Sequence, residues 1–322
     1  MRAVQVESPG GPEALRVAEV ADPTPGAGEL LVRVAAAGVN YIDTYHRTGA
    51  YPMPLPFVPG LEGAGEVVAV GDGVSRFKVG DRVAWASAIG SYAELTRVPE
   101  AVAVSVPDGV ELDVAAGSML QGMTAHYLTR STYPVQAGDT ALVHAAAGGM
   151  GLLLTQQIKA LGGRVIGTVS TDEKEKLARE AGADEIIRYT ETEIAPEVRR
   201  LTDGQGVAVV YDGVGKDTFD ASLASLRIRG TLALYGAASG PVPPFDLQRL
   251  NAAGSLFVTR PTLAHHTLTQ EELGWRSGEI FAGIQSGRLT IRISNRYPLA
   301  DAARSHEDLQ ARRTTGKLLL IP

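Results

Sequence analysis

The chain has 322 residues, 44% of them apolar and 20% charged, with a formal net charge of −6. That is long enough for two domains with cores of their own, and the acidic balance argues against general nucleic-acid binding. There is no cysteine, which excludes disulfides, thiolate nucleophiles and every cysteine-based zinc site. No run of 18 or more apolar residues reads as a membrane-spanning helix. No secretory pattern opens the chain, so the expected location is the cytoplasm.

Residues 1–6 already read as a strand. Up to about residue 120, short extended runs (15–19, 29–36, 65–70, 82–86 and 91–96) alternate with turns such as Pro23-Thr-Pro-Gly26 and Gly71-Asp-Gly73. This texture predicts a compact β domain, a partly open barrel. From residue 141 the pattern changes. Residues 141–146 form a short apolar strand, Gly148, Gly149 and Gly151 follow, and residues 152–161 carry apolar side chains at helical spacing. Extended runs at 164–169, 184–188, 207–211 and 230–236 then alternate with helical runs at 177–181, 194–201 and 218–226. Strands alternating with helices predict an α/β domain with a doubly wound parallel sheet. Glycines between strand and helix let backbone approach a pyrophosphate, and the helix N-terminus offers N–H groups and a positive dipole end. Ala147, Gly148, Gly149, Met150 and Gly151 are therefore the expected dinucleotide cradle.

The second strand ends Val169-Ser-Thr171, with no carboxylate to hold a ribose 2′-hydroxyl. Ser170, Lys174 and Tyr189 offer a hydroxyl, an ammonium and a phenol for a 2′-phosphate, which points to NADPH. Asp172 and Glu173 would repel that phosphate unless they face elsewhere.

The segments Ala37-Gly-Val-Asn-Tyr-Ile-Asp43, Val58-Pro-Gly-Leu-Glu-Gly-Ala-Gly65, Val79-Gly-Asp-Arg-Val83 and the glycine turn resemble the medium-chain dehydrogenase/reductase superfamily. More narrowly they resemble its quinone oxidoreductase (zeta-crystallin-like) branch, and the resemblance runs to Arg312-Arg-Thr-Thr-Gly-Lys317. It implies a GroES-like catalytic domain over residues 1–122, a Rossmann NADP-binding domain over 123–258, and a C-terminal return to the catalytic domain over 259–322. Zinc-dependent members carry Gly-His-Glu where this chain has Gly60-Leu61-Glu62. Leu61 cannot ligate a metal, so a metal-free reaction is expected: transfer of reducing equivalents from NADPH to a quinone. The alternative is NADPH-dependent reduction of the double bond of an alkenal or enone.

The resemblance also implies site residues. Asn40 and Tyr45, in the loop after Ala37, match positions that face the nicotinamide and substrate; Tyr41 is adjacent. Tyr45 would donate to a developing oxyanion. Gln121 stands where relatives often carry Lys, and Thr124 would bond the nicotinamide amide. Gly213, Gly236, Ala237, Phe257, Val258 and Arg312 complete the expected cofactor contacts. In this family two subunits join sheets edge to edge near residues 230–236 and 255–260, so a homodimer is expected. Neither a membrane nor a nucleic acid is an expected partner.

Overall fold

The computed structural model describes residues 1–322. The chain divides into two units, Met1–Met123 with Thr267–Pro322, and Thr124–His266.

The first unit begins with β1 (Arg2–Gln5) paired antiparallel to β2 (Arg16–Glu19), then β3 (Glu29–Val39), α1 (Tyr41–Thr48), β4 (Glu62–Val70), β5 (Arg82–Trp85), β6 (Leu95–Pro99), β7 (Val104–Ser105) and α2 (Leu112–Tyr127). Burial alternates along the first half of β3, where Leu30, Val32 and Val34 face the core. From Ala36 onward every residue is buried, so the end of the strand is covered on both faces. The strand thus runs past the expected boundary at Ala36. The expected loop after it is a helix: Tyr41–Thr48 forms α1, capped by Asn40, whose N–H donates to the Asp43 carboxylate, and closed by Gly49, a left-handed cap with φ 77°. The expected strand at 91–96 starts only at Leu95. Residues 91 and 92 instead donate their N–H groups to the carbonyls of Gly60 and Pro59.

The second unit runs β8 (Thr140–Val143), α3 (Gly149–Ala160), β9 (Arg164–Val169), α4 (Asp172–Glu180), β10 (Glu185–Arg188), α5 (Ile194–Leu201), β11 (Val207–Asp212), α6 (Phe219–Ser225), β12 (Leu226–Leu234), α7 (Gln248–Ala252) and β13 (Phe257–Thr259). All five strand pairs are parallel, in the order β10-β9-β8-β11-β12-β13. The order reverses between β8 and β11, and a ligand of such a sheet binds outside the strand ends at that switch point. β11 is buried along its whole length, as an apolar central strand must be. Its side chains join Leu142, Ile166, Val198, Leu223 and Leu232 in one core, each worth roughly 1.5–3 kcal/mol of burial.

The remaining elements, α8 (Gln270–Gln285), β14 (Ile293–Pro298), α9 (Ala302–Gln310) and β15 (Lys317–Ile321), belong to the first unit. Its sheet has the order β14-β15-β3-β4-β5-β7, with β6 also on β3. β15 lies antiparallel to β3 with Leu318 opposite Val39, and β3 pairs with β4 with Gly38 opposite Glu62. The end of β3 and the starts of β4 and β15 therefore meet at one place.

Candidate active site

In the second unit the turn after β8 is built for close approach. A Cβ on Gly151 would stand 2.3 Å from the Ala145 carbonyl oxygen, so only glycine lets α3 start this tightly against the turn. The first-turn N–H groups of Gly149, Met150 and Gly151 have no acceptor inside the helix, which makes this end an anion cradle. Gly148 starts the helix by accepting from Leu152 N–H at 2.9 Å, and Ala147 is buried beneath the turn.

A buried polar chain underlies that turn. Ser222 Oγ donates to Asp212 Oδ2 at 2.7 Å, so it must accept from His144 Nε2 at 2.9 Å. Burial pushes the His144 pKa down, against an opposing pull from Asp212. A neutral ring protonated on Nε2 leaves Nδ1 to accept from Thr168 Oγ1 at 3.1 Å. Thr168 Oγ1 in turn accepts from Ala145 N–H at 3.3 Å. Asp212 Oδ1 also accepts from the N–H groups of Val214 and Gly215, at 2.8 and 3.0 Å. The turns after β8 and β11, on either side of the switch point, are thus tied by one run of hydrogen bonds. Gly213 and Gly236 are packed backbone to backbone: a Cβ on Gly236 would lie 2.5 Å from Gly213 O. Ala237 follows directly.

Ser170 and Lys174 come together at the tip of β9, with Lys174 Nζ 3.4 Å from Ser170 Oγ. Tyr189, 41% exposed, follows β10 and donates its N–H to Val169 O. Asp172 is paired with Arg188, whose guanidinium also holds Glu175 and Glu191. One of the two nearby carboxylates is thereby neutralised. Thr124 is buried in α2. Phe257 and Val258 are successive residues of β13 and point to opposite faces of the sheet. Val258 packs on the core and Phe257 is 60% exposed on the edge strand.

In the first unit the decisive residue is Asn40, which is 2% exposed. Its Nδ2 donates to Glu62 Oε2 at 2.8 Å and to Gly38 O at 3.2 Å. Its Oδ1 accepts from Lys317 Nζ at 2.7 Å and Gln121 Nε2 at 3.2 Å. An Asn amide has two donors and two lone pairs, so this one is saturated. The Asn40 amide therefore has no free hydrogen-bonding capacity. Glu62 is equally occupied. Its Oε1 accepts from Leu120 N–H at 2.7 Å, and its Oε2 also accepts from Lys317 Nζ at 2.5 Å. The carboxylate lies over Gly38, where a Cβ would stand 2.2 Å from Oε2. Gln121 keeps a buried Oε1 with no partner.

Behind α1 runs a second buried chain. Arg47 Nη1 lies 3.1 Å from His306 Nδ1, and a guanidinium only donates, so the His306 proton sits on Nε2. That N–H faces Tyr92 Oη at 3.1 Å, and Tyr92 donates to Asp43 Oδ2 at 3.0 Å. Burial, with help from Arg47, pushes the His306 pKa down to about 3. Burial pushes Asp43 up to about 7, against the Asn40 N–H, Tyr92 and Lys317.

The other face of α1 is aromatic. Ring centroids of Tyr41 and Tyr45 are 6.1 Å apart, and those of Tyr45 and Tyr51 are 5.2 Å apart. Tyr51 is brought in because Gly49 turns the chain back, so that Tyr51 N–H donates to Tyr45 O. Burial raises the Tyr41 pKa and the positive charge of Arg312 opposes it. Arg312, exposed and with φ 57°, is therefore close enough to act on Tyr41.

Residues 26–108 match the alcohol dehydrogenase GroES-like domain, and residues 149–272 match the zinc-binding dehydrogenase family. A quinone oxidoreductase of Pseudomonas aeruginosa is 50% identical over 99% of both chains. A 2-haloacrylate reductase of a Burkholderia species is 42% identical over 99% of this chain and 98% of its own. A mycobacterial protein solved in complex with NADPH superposes with a TM-score of 0.98, at 56% identity and full coverage of both chains. The chain belongs to the quinone oxidoreductase family of medium-chain dehydrogenases/reductases.

Within that family the zinc named by one matching domain has no donor set here. Leu61 is aliphatic, the chain has no cysteine, and Glu62 is spoken for by Lys317 and two N–H donors. No group of three His, Asp or Glu side chains is disposed to hold a metal. NADPH does fit, on the Gly151 cradle and the Ser170–Lys174 pair. Sequence reasoning missed Glu62, Lys317, Tyr51 and the His144–Asp212 chain. Only Tyr51 had a local signal, the Gly49 helix stop that precedes it.

Proposed function

We infer that this chain is an NADPH-dependent quinone oxidoreductase that works without a metal ion. The observation that carries the reading is half-identity to a quinone oxidoreductase along essentially the whole chain, together with a glycine cradle at the sheet's switch point. Bound NADPH supplies the reducing equivalents. The α3 N-terminus receives the pyrophosphate, and the bonded turns after β8 and β11 hold that cradle fixed. Ser170, Lys174 and Tyr189 take the adenosine phosphate, and Thr124 the nicotinamide amide. On the acceptor side the Tyr45 phenol donates to the oxygen that gains charge, and the neighbouring Tyr41 and Tyr51 rings present π-faces to a planar quinone. Reduction of a quinone restores aromaticity, so hydrogen-bond donors suffice and no Lewis acid is required.

We also propose a homodimer. β13 is paired on one side only, and Phe257, Leu247 and Ile228 are 60–72% exposed in the same unit. An uncovered edge with apolar side chains is a pairing surface. No helix is long and apolar enough to cross a membrane; the cytoplasm is the proposed location. The deciding experiment is NADPH oxidation by chelator-treated protein against ortho- and para-quinones, and separately against 2-alkenals and enones. Turnover of quinones that survives chelation is the expected result. Turnover of alkenals alone would move the activity to double-bond reduction, in line with the 2-haloacrylate reductase relative.

A further inference from the structure

A fully buried ion pair needs a reason. Lys317 is 2% exposed and Glu62 0%, and two such charges often contribute less stability than apolar side chains of the same volume. What the pair does provide is fixed geometry. The ammonium is shared between Glu62 Oε2 at 2.5 Å and Asn40 Oδ1 at 2.7 Å. It therefore decides which way the Asn40 amide points. An amide turned end for end would set Nδ2 against the Lys317 ammonium and Oδ1 against Glu62 Oε2, donor facing donor and acceptor facing acceptor.

Asn40 is also the residue from which α1 starts, and its backbone N–H is bound by Asp43 one turn in. Tyr41 and Tyr45 are carried on that helix, so a change at Asn40 is passed directly to the phenols. The residue before Glu62 is an aliphatic leucine, where zinc-dependent relatives carry a ligand histidine. The positive charge beside this carboxylate comes instead from the far end of the chain, on a strand two places away in the sheet.

We propose that Lys317 is a positioning residue for the reduction. Its ammonium is an internal cation that, through Glu62 and Asn40, holds the start of α1 and sets where Tyr41 and Tyr45 stand. This rests on the quinone reductase reading, and the test separates the two.

Three variants are compared with the wild type: Glu62→Gln/Lys317→Met, which removes both charges at nearly constant volume; Asn40→Ala; and their combination. Melting temperature, NADPH Kd, kcat and KM with para-benzoquinone are measured, together with hydrogen exchange of the α1 amides in the protein without cofactor. The charge-free double variant is expected to melt within a few degrees of wild type and bind NADPH within threefold. Its kcat is expected to drop at least tenfold, and the α1 amides to exchange at least tenfold faster. Asn40→Ala should show the same losses, and the combined variant no more than either alone. A folded double variant with kcat within twofold of wild type and unchanged α1 exchange overturns the proposal and leaves a purely structural pair. If the double variant does not fold, Asn40→Ala decides by the same two readouts. If wild-type protein reduces no quinone, the functional reading fails, while the exchange measurement still decides whether Lys317 holds α1.

Discussion

Asp43 and His306 face each other across Tyr92, and their pKa values move in opposite senses: Asp43 up from 3.8 to about 7, His306 down from 6.5 to about 3. Stability varies with pH according to the difference in protons bound by the unfolded and native states. Between about pH 4 and 6.5 the native state holds one more proton than the unfolded state at Asp43. That contribution falls as pH rises. Over the same interval the native state holds one fewer at His306, and that contribution grows as pH rises. Each slope is about 1.36 kcal/mol per pH unit, so the two cancel and the wild type is expected to be nearly flat in this window.

Substitution removes one slope and exposes the other. Asp43→Asn leaves His306, so stability should rise by about 2.7 kcal/mol from pH 4.5 to 6.5, and His306→Gln leaves Asp43, so stability should fall by about the same amount. With a urea dependence of about 1–3 kcal/mol per molar, either change moves the midpoint by roughly 1–3 M. The assay is urea unfolding followed by tryptophan fluorescence. Both tryptophans, buried Trp85 and half-exposed Trp275, lie in the unit that contains the pair, so the signal reports that unit. The other charged groups acting on Asp43 and His306 are Lys317, Glu62 and Arg47, and all three remain in both variants. Difference curves against wild type therefore isolate the exposed slope. Two variants whose midpoints run parallel to wild type across the window would refute the opposed shifts.

Three further outcomes test the site. Lys174→Ala should raise the KM for NADPH at least tenfold, the loss of one charge-assisted contact of about 1.5–3 kcal/mol, and leave the KM for NADH alone; an unchanged NADPH KM removes Lys174 from the phosphate site. Tyr45→Phe should lower kcat while NADPH binding stays as it was, and normal turnover would make Tyr45 a packing residue of the Tyr41–Tyr51 group. Phe257→Asp should reduce the light-scattering mass from two chains to one, and a wild-type mass of one chain would remove the dimer altogether.

The parts legible in the sequence are those written locally. The β9 strand and the α5 helix fall on their expected residues, and the glycine run falls where β8 gives way to α3, with Gly149 and Gly151 already inside the helix expected from residue 152, because period and punctuation lie within a dozen residues. The start of α1 was equally local, since Asn40 and Gly49 bracket it, but the Asn40-Tyr41 stretch reads as a loop until Asp43 is taken as the helix's own N-terminal acceptor. Lys317 was not legible in that way. It lies 255 residues from Glu62 and 277 from Asn40, and only the β15-β3-β4 order brings them together. His144 is hidden differently: a lone histidine after an apolar strand has no spacing to mark it, and its side-chain partners Thr168 and Ser222 come from two other elements.

The two buried networks of the first unit also explain each other. A chain of neutral hydrogen bonds has no preferred direction until one end is fixed, and Arg47 fixes it, since a guanidinium has only protons to give. Its donation to His306 Nδ1 sets the tautomer, the tautomer sets the Tyr92 hydroxyl, and that hydroxyl points at Asp43. At the other side Lys317, also a donor only, sets the Asn40 amide by the same logic. Asn40 is where they meet, bound by its backbone N–H to Asp43 and by its side chain to Glu62 and Lys317. The helix that carries Tyr41 and Tyr45 is therefore anchored at its first residue by two cations that are part of the chain. A site held in this way does not depend on a bound ion for its geometry, which is what a reductase whose donor set cannot ligate zinc requires.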